Sequence, residues 1–229
     1  MGMARIRKRS EVGKTTKAER LLLANCQAGL PTDLGGLPDG PGDQRTVRAD
    51  LLRYLILGGC DACQVDEIGI HLRGAFVSGA LDLSFAKGIH PVSLVHCRFQ
   101  KGIEAQQLEI PVLSLNGSFV RGLNFQSARV AGPLFLRDGF HAKGRVSLTG
   151  TAINGTFDCS ESRFENLGGL ALNAQSAQIT GSVFLRNNFH ATGEVSFSGA
   201  KIDGLECTDS RCDTANGNAL NLEHVHVAG

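Results

Sequence analysis

From Leu81 onward the chain repeats one short pattern: apolar, polar, apolar, then a break, then the same again about 12 residues later. Leu81-Asp82-Leu83, Val92-Ser93-Leu94, Leu113-Ser114-Leu115, Leu134-Phe135-Leu136, Val146-Ser147-Leu148 and Val183-Phe184-Leu185 are examples, and the series runs to Leu220-Asn221-Leu222. Alternation with period two over so few residues predicts very short strands with one buried face. Such a unit cannot bury its apolar side alone. Stacked copies can, so the pattern predicts a solenoid with two triplets per coil.

Self-similarity supports this. Residues 127–155 laid over residues 176–204, an offset of 49, agree at fifteen of 29 positions. Half that offset matches a coil of about 23–25 residues. Most units also carry a later apolar residue, then a glycine, as in Ile153-Asn154-Gly155, Ile179-Thr180-Gly181 and Ile202-Asp203-Gly204. These glycines read as corners needing backbone freedom. The fold class expected is mainly β, a right-handed parallel β-helix of about 6–7 coils spanning 67–229, with a small helical N-terminal cap.

Before residue 67 the period changes. Thr16-Lys17-Ala18-Glu19 has capping-box spacing and opens a helix through Ala28, stopped by Gly29. A second helix is predicted from Thr46 to Leu57, with Val47, Leu51, Tyr54 and Leu55 on one face and Gly58-Gly59 ending it. Leu30 to Asp43, rich in Gly and Pro, reads as irregular loop. These make up a helical cap over 16–66. Residues 1–15 read as a disordered basic arm, in which Arg5, Arg7, Lys8 and Arg9 could contact an anionic partner such as a membrane surface.

Composition narrows the function classes. The 229 residues include 29 Gly, 12 Phe and no Trp, with a net charge of +1. So much glycine argues against a helical bundle. Residues 71–229 balance 13 Lys and Arg against 13 Asp and Glu, which disfavours a nucleic-acid binder or a DNA-mimicking rod. No apolar run approaches a membrane span, and MGMARIRKRS lacks the apolar stretch of a secretory signal. Seven scattered cysteines read as reduced thiols. The expected location is cytoplasmic, with peripheral contact to the inner membrane left open.

The passages TVRADLLRYLILGG (46–59), GIHLRGAFVSGALDLS (69–84) and FLRDGFHAKGRVSLTGTAINGTFDC (135–159) resemble the pentapeptide-repeat-like right-handed β-helix proteins of bacteria. That group is often labelled membrane-associated oxidoreductase. The resemblance implies the β-helix and the helical N-terminal segment. The strict five-residue step survives only in patches, such as Leu148 to Ile153. No nucleotide loop of the G-x-G-x-x-G kind follows a strand, and Cys60-Asp61-Ala62-Cys63 lacks a thioredoxin-like setting.

The middle residue of each triplet should point outward. Alternate units then build one face with Phe135, Asp158, Phe184 and Glu206, and another with Ser147, Ala171, Ser196 and Asn221. The first reads either as an apolar interaction face or as rings covered by long neighbours. Asp158 and Glu206, two coils apart, read as a solvated column rather than an acid pair for sugar cleavage. Cys60 and Cys63 are half of a zinc signature that His71 could complete only by folding back. Cys159, Cys207 and Cys212 read as core residues, and the recurring His141 and His190 as structural corners.

The sequence therefore points to a non-enzymatic scaffold or interaction module with no cofactor, metal or catalytic set. The competing reading is an enzyme on a β-helix scaffold, a membrane-associated oxidoreductase or a polysaccharide-acting enzyme. The expected partner is a protein, or a second copy meeting the open C-terminal coil tail to tail; the other explanation of that open end is a longer repeat protein.

Overall fold

The computed structural model describes residues 6, 8–61, 63–215 and 217–228. It is a parallel β-solenoid of about 7 turns with two short helices. Four ladders of strand pairs run its length. Register partners Val92, Leu113, Leu134, Phe157, Val183 and Leu205 mark the first face on successive coils. On this face a coil takes from 21 residues (Val92 to Leu113) to 26 (Phe157 to Val183). The second face carries Phe119, His141, Arg163, His190 and Arg211 in register. The third carries Leu81, Ile103, Leu123, Val146, Leu172, Val195 and Leu220. The fourth carries Val130, Ile153, Ile179, Ile202 and Val227. Consecutive triplets in the sequence therefore alternate between opposite faces of one tube, the first and the third.

One backbone rule turns the corners. Two residues past each triplet the chain enters the left-handed region, with φ from +49° at His96 to +58° at Phe85. Gln107, Ser127, Asp138, Glu161, Ser176, Asn187, Asp209 and His224 share this conformation, and Gly117, Gly150 and Gly199 take the same place on other coils. Short polar side chains tolerate that region best. The glycines after Ile153, Ile179 and Ile202 do something else, because their φ is not positive. A Cβ on Gly181 would lie 2.8 Å from the Gly155 carbonyl carbon. Bare backbones stack there, so close approach rather than freedom of rotation requires glycine.

The same rule corrects the frame at Leu170-Ala171-Leu172. Ser176 is the left-handed residue, and Val146 and Ser147 pair with Leu172 and Asn173. The triplet is Leu172-Asn173-Ala174, and Ala171 is buried instead of facing outward. Irregularities between Glu165 and Leu170 and between Leu170 and Leu172 shift the register of the Arg163–Asn173 strand.

The core explains why the repeat spans two coils. On the second face the inward strand residue and the buried corner residue two places earlier trade volume. Ala142 follows Phe140, Phe164 follows Ser162, and Ala191 follows Phe189, all buried. The rings interleave, with Phe140–Phe164 centroids at 5.6 Å and Phe164–Phe189 at 5.5 Å. A phenylalanine on every coil at one site would overfill it, so large and small alternate. Ile153, Ile179 and Ile202 are buried as the pattern predicts.

The N-terminal end is covered by helix α1 (Lys17–Ala28) and helix α2 (Ala49–Ile56). The capping box forms: Thr16 accepts from the Glu19 backbone and Glu19 accepts from the Thr16 backbone, while Gly29 closes α1 in the left-handed region. Leu22, Leu23 and Cys26 of α1 and Leu51, Leu52, Leu55 and Ile56 of α2 join the core. The second helix starts later than its periodicity predicts, because Thr46-Val47-Arg48 pair as a strand with Phe76-Val77-Ser78. Thr32 and Asp33, within the stretch read as loop, pair with Leu72 and Arg73. The strand ladders thus continue N-terminal of residue 67. Among the described residues no helix is long and apolar enough to cross a membrane.

Candidate functional site

The first face brings Phe135, Asp158, Phe184 and Glu206 into one column, as the alternate-unit reading requires. It is not an open apolar face. Arg137 lies 4.9 Å from the Phe135 ring centre and Arg186 lies 4.0 Å from that of Phe184. Each guanidinium then reaches one coil onward: Arg137 Nη1 to Asp158 Oδ2 at 3.1 Å, and Arg186 Nη1 to Glu206 Oε2 at 2.9 Å. Phe, Arg and acid form a unit that recurs with the 49-residue period. Asp158 is buried, and its other oxygen accepts from the Ser160 N–H at 2.9 Å and the Ser160 hydroxyl at 2.6 Å. Three of that carboxylate's roughly four acceptor positions are thus engaged inside the protein. The arginines, two positions beyond each phenylalanine, were the readable signal for this cover.

The second face holds a matching unit. His141 Nε2 lies 3.4 Å from Glu165, which Arg163 also contacts. One repeat on, His190 Nε2 lies 3.0 Å from Asp213 Oδ2, with Arg211 Nε at 2.7 Å. His141 and His190 sit in strands, not at corners; the preceding phenylalanines hold the corners. Although burial opposes it, His141 and Arg163 hold Glu165 below the usual carboxylate value. The hydrogen bonds from His190 and Arg211 do the same for Asp213.

The cysteines are core or edge groups. Cys60 and Cys63 pair across a two-stranded hairpin, and the Tyr54 hydroxyl donates to Cys60 Sγ at 2.9 Å. Burial, with Cys63 nearby, pushes the Cys26 thiol up to about 12, and burial also raises Cys63. His71 contacts the Ile68 carbonyl instead. Among the described residues no three His, Cys, Asp or Glu side chains gather as a metal site. Cys159 is buried, while Cys207 and Leu222 on the last described coil are exposed.

Arg5 and Arg7 lie outside the described residues. Lys8 and Arg9 are exposed, beside Ser10, Cys60 and Asp61. The stretch after them is packed, however. Val12 is 1% exposed, and its carbonyl accepts from Arg48 Nη2 at 2.9 Å.

Sequence reasoning assembled part of the third face, with Ser147, Ser196 and Asn221, but gave it no role. Its outward residues, with Arg121 and Arg145 along one edge, shape a groove of about 560 Å³. Glu104, Asn124, Ser147 and Asn173 stand in one register column along it. The chain matches no family model, no curated protein and no solved structure. What the β-helix resemblance implied about fold therefore rests on the strand ladders themselves.

Proposed function

We propose that the protein is a non-enzymatic binding scaffold, a stiff rod whose side faces hold partners. The observation that supports this most is the repeated use of its reactive groups. Asp158 and Glu206 are each tied to an arginine, Glu165 and Asp213 each to an arginine and a histidine, and the same unit appears twice on each face. Chemistry needs its groups once, whereas packing needs them on every repeat. Cys63 is not a reactive thiol, since such a thiol has a lowered pKa and burial raises that of Cys63.

The test is purification followed by absorption spectroscopy and elemental analysis, together with affinity capture. A scaffold carries no stoichiometric chromophore or metal, and it loses its partner when charges on one side face are reversed while its fold is kept. A stoichiometric flavin-like spectrum or bound metal contradicts the reading.

A further inference from the structure

The groove on the third face is built differently from the first and second. There Arg137 and Arg186 reach acids of the next coil, and Arg163 and Arg211 meet acids of their own strand. Here Arg121 and Arg145 edge the groove, and neither has an ion pair or side-chain hydrogen bond among the described residues. Lys101, also exposed and without an ion pair, stands next to the groove at Gly102. The one acid in the lining, Glu104, is held by Asn124 Nδ2 at 3.0 Å.

The floor is polar and only partly spent: Thr149 Oγ1 meets Ser147 Oγ at 3.2 Å. Gln126, Thr149 and Gln175 stand two residues beyond the register column, on successive coils, and the side-chain amides of both glutamines make no hydrogen bond among the described residues. Gly102 adds an independent sign. Its φ is not positive, and a Cβ there would meet nothing nearer than the Gly122 oxygen at 3.4 Å, an ordinary contact. The fold does not require glycine at 102. Its effect is to keep the groove open to a ligand approaching the backbone.

We propose that this groove binds an extended anionic polysaccharide of the polyuronate class. This rests on the binding reading above and names the ligand. Donor and acceptor groups recur along the groove at the coil rise of about 4.8 Å, close to the advance per residue of an extended sugar chain. Arg121 and Arg145 take carboxylates of successive uronates through paired N–H donors. Gln126, Thr149 and Gln175 exchange hydrogen bonds with ring hydroxyls. Glu104 closes the Gly102 end to carboxylates and accepts from a hydroxyl there. The floor carries no aromatic ring on which a base could stack, which disfavours single-stranded nucleic acid.

The experiment is calorimetric titration of the full chain with hexameric polygalacturonate, neutral gluco-oligosaccharide and single-stranded DNA. The expected result is binding of the uronate hexamer, at least about tenfold weaker in each of Arg121→Gln and Arg145→Gln, and lost in Gly102→Leu, which fills the groove. All variants are checked for an unchanged circular dichroism melt. Arg121→Gln serves where Gly102→Leu fails to fold. No uronate binding by the folded wild type overturns the proposal, as does equal binding of DNA or of the neutral sugar. A rising reducing-end count would instead contradict the non-enzymatic reading, so the two failures are distinguishable.

Discussion

Arg48 donates its Nε to Glu19 Oε1 at 2.8 Å, and the Glu19 side chain has no exposure at all. The same carboxylate accepts the Arg48 backbone N–H at 2.9 Å and that of Thr16 at 3.1 Å. One buried charge thereby ties the start of α1 to the Thr46–Arg48 strand, the first on the second face. Arg48→Met leaves that charge without its partner, so a loss of about 3 kcal/mol is expected, read from urea unfolding. Deleting residues 6–12, which removes the Val12 contact as well, should also lower the midpoint. An unchanged midpoint in both would show that the cap is not coupled to the coils.

The Phe140–Phe164–Phe189 stack gives a second outcome. Phe164→Ala should cost about 3–5 kcal/mol. Ala142→Phe, which puts a ring where Phe140 and Phe164 already meet, should destabilise by about 1–3 kcal/mol through overpacking. Chemical denaturation of the two variants checks both. A tolerated Ala142→Phe would mean the two-coil alternation is not set by core volume.

The tube was legible because its signals are local. A triplet such as Leu134-Phe135-Leu136 declares a strand without reference to anything distant, and the 49-residue offset declares stacking. The frame at Leu172 was hidden because Leu170 also fits the alternation, and only the position of the corner at Ser176 separates the two readings. The strand at Thr46–Arg48 was hidden because its residues continue the helical period of α2. The cover on Phe135 and Phe184 depends on which side chain lies over which, and alternation is silent on that. The groove was missed because its residues are separately ordinary; only the register sets Asn124, Ser147 and Asn173 side by side.

Stability should fall in acid by a defined route. Glu165 and Asp213 have folded pKa values below their ordinary ones. Such groups add stability above the unfolded carboxylate range, and the gain is lost as pH falls through the folded values. Melting temperature measured from neutral pH into acid should therefore drop, and Glu165→Gln with Asp213→Asn should flatten that drop. An acid limb unchanged by the double substitution would refute the assignment.

Phe85 occupies a left-handed corner with φ +58° and is 71% exposed. That conformation suits asparagine better. Phe85→Asn should raise stability by roughly 0.5–1 kcal/mol, measured by denaturant titration. A loss would show that the ring makes a contact the corner depends on.

Asp158 decides most directly whether the side-face acids serve the structure or a reaction. Asp158→Asn keeps an acceptor for Ser160 but turns an N–H donor toward Arg137 Nη1. If the carboxylate is structural, the variant melts lower by about 5 °C. Replacing a catalytic carboxylate leaves stability unchanged or raises it. Differential scanning calorimetry of wild type and Asp158→Asn at neutral pH makes the comparison: a lower melting temperature is the predicted result, and an equal or higher one contradicts the scaffold account.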